Sequence, residues 1–214
     1  MTAARSLVAV SAGLQVPSST RLLVDRLVAA TERHLRDGGI QPSATVVELR
    51  DHAQDLSNNL LTGFPSPALQ AAIDQVTAAD GLIVASPIFN GSYSGLFKTF
   101  FDVIEHESLD GRPVLLAATG GTARHSLALE YALRPLFTYL GADTIRTAVY
   151  AAAEDWGRSG VPADGSLVQR IDRAARELAA AMSVRDPLPR RDAFADPEPF
   201  EAMLRDLEPR QSGD

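Results

Sequence analysis

Four hydroxyl side chains stand near the start of the chain, in a loop that follows a short apolar run. The segment "SAGLQVPSST" contains Ser11 and then Ser18, Ser19 and Thr20, the last three at the start of an amphipathic stretch. A helix N-terminus offers free N–H groups and a positive dipole end, and with hydroxyl donors it can bind one terminal phosphate. The loop therefore predicts a monophosphate site. The alternative is an ordinary hydroxyl N-cap without a ligand.

The same loop argues against a dinucleotide site of the Rossmann type. Such a site needs a GxGxxG pattern so that the backbone can approach a pyrophosphate, and this loop has only Gly13.

A second loop, in "ASPIFNGSYSGLFKTFFD", combines small residues with two aromatic side chains. Asn90-Gly91 favours a hairpin turn, but helical apolar spacing follows it, so we expect a loop and no hairpin. Small residues let the backbone lie against a flat ligand, and Phe89 or Tyr93 is available to stack on it. A flavin ring fits this description. The alternative is a plain connection with Phe97, Phe100 and Phe101 in the core, and we expect core positions for those three. Lys98 is expected on a solvated helix face.

A third loop contains adjacent glycines between two threonines, Thr119, Gly120, Gly121 and Thr122. Adjacent glycines allow close approach of the backbone to a ring. Arg124 and His125 follow, and each is a candidate either for contact with a bound cofactor or for an ordinary surface position.

The chain alternates between short apolar runs and amphipathic segments, and this alternation must position the three loops. The apolar runs predict five strands, at 6–11, 44–49, 81–86, 113–119 and 147–152. The amphipathic segments predict helices at 18–36, 66–78, 94–105, 126–140 and 165–182. Such an α/β pattern predicts a parallel sheet with helices on both faces and ligands at the carboxyl ends of its strands. The three loops follow strands one, three and four.

Composition excludes several classes of protein. The 214 residues are 45% hydrophobic, enough for one domain with a full core. A net charge of −7 gives no excess positive potential for nucleic acid. The absence of cysteine removes thiolate chemistry, so any redox reaction needs a bound cofactor.

We expect no metal site, because His34, His52 and His106 lack ligand spacing and are read as surface residues. No apolar run suits a signal peptide or membrane span, so we expect a cytoplasmic protein.

The segments "SPIFNGSYSGLFKTFFD" and "LDGRPVLLAATGGTARHSLALEYALRPLFTYLGA" resemble the NAD(P)H-dependent FMN reductases of the flavodoxin-like superfamily. The similarity is greatest to reductases that supply reduced FMN to two-component alkanesulfonate or luciferase-like monooxygenases. It covers about residues 5 to 152. It implies a flavodoxin-like three-layer sandwich whose five-stranded parallel sheet has the order 2-1-3-4-5.

The resemblance also implies which residues bind FMN. The phosphate loop falls on Ser11, Ser18, Ser19 and Thr20, although Gln15 lies near the place of an arginine common in the family. The loop that contacts the flavin ring corresponds to Pro87, Ile88, Phe89, Asn90 and Gly91, and the family's glycine turn corresponds to Thr119, Gly120, Gly121 and Thr122. His125 remains a candidate from its position alone. Tyr93 is placed where relatives with exchangeable FMN carry a tyrosine in an inserted helical turn at a subunit interface.

The expected function is hydride transfer from NADPH or NADH to FMN, with reduced FMN supplied to a partner monooxygenase. The cofactor carries this reaction, so no catalytic residue is assigned. Two alternatives use the same loops: a quinone, azo or chromate reductase with retained FMN, and a non-enzymatic flavodoxin-type electron carrier.

The domain is expected to span residues 1–182. Residues 183–214, with one amphipathic piece "PFEAMLRDL", are expected to form a tail that packs on another subunit or stays mobile. The apolar helix after the second loop, with Leu96, Phe97, Phe100, Phe101 and Ile104, predicts a homodimer or homotetramer, because it has more apolar surface than one buried face requires.

Overall fold

The structure of the protein is a computed structural model, and it describes residues 4–105, 107–156 and 165–185. Its strands are β1 (Ala4–Ser11), β2 (Gln41–Glu48), β3 (Gly81–Phe89), β4 (Ser92–Tyr93), β5 (Pro113–Gly120), β6 (Asp143–Thr144) and β7 (Val149–Ala152). Its α-helices are α1 (Ser19–Asp37), α2 (Ala53–Thr62), α3 (Pro67–Thr77), α4 (Gly95–Asp102), α5 (Arg134–Tyr139) and α6 (Gly165–Ser183).

The sheet confirms the predicted order. Strands β2, β1, β3 and β5 lie side by side and parallel, and β6 and β7 both pair with β5 at its far edge. The predicted fourth strand is β5, and the predicted fifth position is divided between β6 and β7. The order 2-1-3-4-5 therefore holds, although the sheet has seven strands and not five.

Serine side chains fix the starts of three helices, as the sequence pattern indicated. The hydroxyl oxygens of Ser18, Ser66 and Ser94 accept hydrogen bonds from backbone N–H groups in the first turns of α1, α3 and α4. Each bond satisfies a donor that the helix itself cannot pair.

Helix α2 was not predicted. It follows β2 through a 3₁₀ turn at Leu49–His52, and only Leu56 and Asn59 along it are buried. Its sequence "AQDLSNNLLT" contains Asp55, Ser57, Asn58 and Asn59, residue types that favour turns and loops, and these obscured the helix in the sequence. The helix ends at Gly63, whose φ of +77° lies in the left-handed region that favours glycine.

Apolar layers cover both faces of the sheet. Helices α1 and α6 pack on one face through residues such as Leu23, Leu27 and Leu178, and the other helices pack on the opposite face. Phe97, Phe100 and Phe101 of α4 are buried there, with the ring centroids of Phe97 and Phe101 4.8 Å apart. The expected core positions of these three residues are confirmed.

None of the helices in the described ranges has the length and apolarity needed to span a bilayer. The described residues also contain no group of three or more histidine, aspartate or glutamate side chains suited to a metal ion.

Candidate functional site

The three predicted loops meet at one edge of the sheet. They follow β1, β3 and β5, which are neighbouring parallel strands, so their carboxyl ends lie together. The contact is direct, because the hydroxyl oxygens of Thr20 and Thr119 are 2.7 Å apart. These two residues are separated by 99 positions in the sequence. The structure thus brings the predicted phosphate loop against the predicted glycine turn.

Ser11 is the most informative residue of the phosphate loop. It ends β1, its exposed fraction is 0%, and its hydroxyl oxygen has no hydrogen-bond partner in the described part of the chain. A buried hydroxyl without a partner costs free energy, so such groups point to a ligand or water that satisfies them. Gly13 in the same loop leaves room for Ser18, since a Cβ on Gly13 would lie 2.1 Å from the hydroxyl oxygen of Ser18.

The other predicted phosphate residues differ in their surroundings. Ser18 caps α1 by accepting a hydrogen bond of 3.2 Å from the Arg21 N–H, so the alternative N-cap role is also real. Thr20 is buried and Ser19 is exposed at the helix start.

Two arginines border this loop, and the sequence interpretation did not include either. Arg50 donates to the Gln15 carbonyl oxygen at 3.3 Å, so a guanidinium reaches the loop in which the family arginine is missing. Arg21 pairs with Asp25 and Glu48, and its pKa is raised, chiefly by the hydrogen bond to Asp25. Arg50 lies 35 positions from Gln15, so analysis of the loop did not include it, whereas Arg21 directly follows Thr20 and only the structure shows which carboxylates it pairs with.

The second loop is a hairpin, so the expectation of no hairpin was wrong. Strands β3 and β4 pair antiparallel, with Ile88 opposite Tyr93 and Phe89 opposite Ser92. Asn90 and Gly91 form the two-residue turn with φ angles of +50° and +85°, and a type I′ turn requires positive φ at both positions. The returning strand has only two residues before Ser94 starts α4, too few to produce an alternating pattern in the sequence.

The hairpin is fixed to the sheet by Ser86, which the sequence interpretation also missed. The Ser86 hydroxyl donates to the Pro87 carbonyl oxygen at 2.8 Å and accepts from the Ser94 N–H at 2.9 Å. Pro87 and Ile88 are half-buried, whereas Phe89, Asn90 and Gly91 at the tip are exposed. The tip therefore presents an aromatic side chain and backbone groups to the outside of the sheet edge.

Tyr150 supports the glycine turn from β7. Its hydroxyl donates to the Thr122 carbonyl oxygen at 2.9 Å. A Cβ on Gly120 would lie 2.0 Å from that hydroxyl oxygen, whereas a Cβ on Gly121 would meet nothing within 4 Å. Gly120 is therefore required by the packing of the protein itself, and Gly121 leaves open space on the exposed side of the turn. Burial raises the pKa of the Tyr150 hydroxyl, so it keeps its proton and can donate at neutral pH.

His125 and Arg124 are exposed in a short 3₁₀ turn after the glycines, at Ala123–His125. The structure places them beside the turn and gives neither a contact with the other two loops. Lys98 pairs with Asp102 one turn along α4, in agreement with the expected solvated face.

The prediction that Tyr93 belongs to an inserted helical turn is wrong, because Tyr93 lies in β4. A π-helix lies elsewhere, at Leu129–Leu133, and in it the Arg134 N–H bonds to the Leu129 carbonyl oxygen five residues back. Pro135 has no N–H to donate to the Tyr131 carbonyl four residues back, so the regular α-helical ladder is interrupted here. Tyr131 in this turn is 80% exposed.

Comparison with known proteins assigns the chain to a family. Residues 6–157 match the family described as NADPH-dependent FMN reductase, which is well over half of the chain and contains all three loops. The chain belongs to this family. It is thus an oxidoreductase that uses FMN and NAD(P)H, and the expected enzyme activity is confirmed, whereas the non-enzymatic electron carrier is not supported.

Individual relatives agree with the family. An FMN reductase (NADPH) of Pseudomonas aeruginosa is 40% identical over 188 residues, which cover 88% of this chain and 98% of that protein. About 26 of the 214 residues here lie outside this match. An NADH-dependent FMN reductase, SfnF, of Pseudomonas putida is 34% identical over 177 residues, covering 83% of this chain and 92% of that protein.

Solved structures confirm the flavodoxin-like fold. An oxidoreductase from Corynebacterium diphtheriae is 40% identical with a TM-score of 0.81, over 86% of this chain and all of that one. The apo form of an NADH:FMN oxidoreductase is 25% identical with a TM-score of 0.73, over 89% of this chain and 98% of that one.

The residues of this FMN reductase fit its cofactor. Ser11, Thr20 and the N-terminus of α1 would hold the phosphate, since they provide an unpaired buried hydroxyl and free helix N–H groups. The β3–β4 hairpin and the turn at Gly120–Gly121 would hold the ring. No residue is assigned as a catalytic acid or base.

Proposed function

We propose that this FMN reductase releases reduced FMN as a product, for use by a partner flavin-dependent monooxygenase. The observation that supports this most is the contrast in burial across the site. Of the residues proposed for the phosphate, Ser11 and Thr20 are buried, Ser18 is half-buried and Ser19 is exposed. Those proposed for the ring are mostly exposed: Phe89, Asn90, Gly91, Gly121, Thr122 and His125. A site that grips the phosphate and leaves the ring side open suits both entry of NAD(P)H and departure of the flavin.

FMN, when bound, supplies the ring that accepts a hydride from the nicotinamide. The protein's share is binding and orientation. The hydroxyls of Ser11 and Thr20 neutralise part of the phosphate charge through hydrogen bonds, and the dipole of α1 adds to this. Tyr150 keeps the glycine turn in place through Thr122, and Ser86 fixes the hairpin. Both supports come from strands of the sheet, Ser86 from β3 and Tyr150 from β7, on either side of β5.

We further propose that the protein forms a homodimer or homotetramer through the face that contains the π-helix. A cavity of about 570 Å³ lies there between α4 and α5, lined by Tyr93, Tyr131, Tyr139 and neighbouring apolar side chains. Tyr131 and Tyr139 are 80% and 72% exposed. The sequence argument located the excess apolar surface on α4 itself, but Phe97, Phe100, Phe101 and Ile104 are buried within the chain. The exposed aromatic surface belongs to the neighbouring turn and helix.

This face also contains the proposed exchange tyrosine. The resemblance assigned Tyr93 to an inserted helical turn at a subunit contact, and we propose Tyr131 for that role because it lies in the π-helix. Tyr93 lines the same cavity from β4. A cytoplasmic location, where NAD(P)H is regenerated, is consistent with the proposed activity and is part of this proposal.

The experiment is to measure NADPH and NADH oxidation by the purified protein with and without added FMN, together with the flavin that co-purifies. Release predicts little co-purified flavin, oxidation that rises in proportion to added FMN until saturation, and FMN-dependent turnover of an added flavin-dependent monooxygenase. Stoichiometric co-purified FMN, with oxidation driven by a quinone and not by added FMN, favours the alternative quinone, azo or chromate reductase. Light scattering at micromolar concentration tests the assembly, and a monomer contradicts the proposed interface.

A further inference from the structure

A second groove lies on the opposite face of the sheet from the α4–α5 cavity, between α1 and α6. Its volume is about 590 Å³, and ten residues from the two helices line it. The floor is apolar, with Ala30 and Ile171 buried and Val168 49% exposed. The groove differs from the flavin loops in composition, since its lining contains no hydroxyl cluster and no glycine. None of the proposed cofactor contacts uses it.

Arginines surround this apolar floor. Arg26 and Arg33 come from α1, and Arg173 and Arg176 come from α6. Asp172 is the one carboxylate among the lining residues, and it is already engaged by Arg33 at 2.6 Å and by His34 at 2.9 Å. Within residues 4–105, 107–156 and 165–185, Arg173 and Arg176 form no ion pair and are exposed. An apolar groove with two exposed, unneutralised guanidinium groups suits an acidic amphipathic segment.

The chain contains a segment of this kind beyond the described residues. Residues 196–208 read "DPEPFEAMLRDLE", with five carboxylates and one arginine. Their four large apolar side chains have the i, i+3, i+4, i+7 spacing of a helix that buries one face: Phe200, Met203, Leu204 and Leu207. The 13 residues therefore combine one apolar stripe with negative charge, which complements the groove in both respects.

The connection is long enough for this segment to reach the groove of its own chain. Helix α6 ends at Ser183, and Asp172 lies 11 residues before that end, or about 17 Å back along the helix axis. Residues 186–195 are ten in number and span up to about 33 Å when extended. Residues 186–195 are therefore long enough to lead segment 196–208 back along α6 to the groove.

We propose that the acidic segment 196–208 docks in the α1–α6 groove of the same chain, with its apolar stripe on the floor and its carboxylates at Arg173 and Arg176. The docked segment covers the face of the sheet opposite the aromatic face proposed for assembly, so the two surfaces do not compete.

The chain has no cysteine, so introduced thiols provide a clean test. In the full-length protein, Val168→Cys and Met203→Cys place one thiol in the groove and one on the apolar stripe. The matched control joins Met203→Cys with Leu61→Cys, since Leu61 is 86% exposed on α2, on the other face of the sheet. Under mild oxidation we expect an intrachain disulfide to form at least about tenfold faster in the groove pair than in the control pair. Equal rates overturn the proposal, and so does a disulfide that joins two chains as the main product.

Charge reversal tests the recognition itself. Arg173→Glu with Arg176→Glu should slow disulfide formation in the groove pair by about tenfold, because two attractive contacts become repulsive. Glu201→Arg with Asp206→Arg in the tail should slow it similarly without altering the folded body, and the four changes together should restore the rate. Rescue is a result that misfolding cannot produce. A rate unaffected by either pair of changes, at low and at high salt, overturns the role of the arginines.

Discussion

Replacement of Ser11 by alanine separates ligand binding from protein stability. The Ser11 hydroxyl oxygen is fully buried and has no partner within the described residues, so no protein group among them stabilises it in the apoprotein. An unsatisfied buried polar group costs about 1–3 kcal/mol, and Ser11→Ala removes that cost. We therefore expect the free energy of unfolding of the apoprotein to be unchanged or higher in the variant. Most substitutions of a buried residue act in the opposite direction.

The affinity of the Ser11→Ala variant for FMN should fall, although its stability does not. If the hydroxyl donates to the phosphate, the variant loses a charge-assisted hydrogen bond of about 1.5–3 kcal/mol. That loss raises the dissociation constant of FMN by about 10- to 150-fold. Riboflavin lacks the phosphate, so its dissociation constant should stay the same. The ratio of the two constants is thus the quantity that the substitution alters.

Urea unfolding of the apoprotein and fluorescence titration with FMN and riboflavin measure these effects. Ser18→Ala is the matched comparison, because that hydroxyl caps α1 by accepting from the Arg21 N–H. Its removal should lower the free energy of unfolding by about 0.5–2 kcal/mol. The reasoning is refuted if Ser11→Ala destabilises the apoprotein as Ser18→Ala does, or if it weakens FMN and riboflavin binding equally.

Three further outcomes are expected at the glycine turn and at the π-helix. Gly120→Ala should lower the free energy of unfolding by about 1–3 kcal/mol, because its Cβ would lie 2.0 Å from the Tyr150 hydroxyl oxygen. Gly121→Ala should leave the free energy of unfolding of the apoprotein within about 0.5 kcal/mol and weaken FMN binding only. Equal effects of the two substitutions in urea unfolding would contradict this expectation. Burial raises the pKa of Tyr150 above its ordinary value of 10.0, so the stability that comes from keeping this hydroxyl protonated is complete below pH 10 and is lost as pH rises through the folded-state pKa. Tyr150→Phe should therefore flatten the alkaline part of a curve of unfolding free energy against pH. An unaltered alkaline part would count against this reasoning. Tyr131→Ala should increase the amount of co-purified FMN and slow the transfer of reduced FMN to a monooxygenase, while hydride transfer from NAD(P)H persists. A parallel loss of bound FMN, flavin transfer and hydride transfer would show that Tyr131 serves packing alone.

The order of elements and the place of the site could be predicted from the sequence, because both depend on local patterns. Buried parallel strands are continuous apolar runs, and surface helices repeat every 3.6 residues, so the alternation was visible and with it the edge where the loops meet. Helix starts at Ser18, Ser66 and Ser94 were visible for the same reason, since a cap and its partner are three residues apart.

Only the tertiary structure decided how the loops are built and held. The two-residue strand at Ser92–Tyr93 is too short to show a period, and it becomes a strand because β3 is beside it. The π-turn that presents Tyr131 depends on an interrupted helical ladder, which a search for regular apolar spacing does not detect. The bonds from Thr20 to Thr119 and from Tyr150 to Thr122 join residues 99 and 28 positions apart. Whether a hydroxyl such as that of Ser11 is satisfied depends on all atoms around it after folding, and no local pattern carries that information.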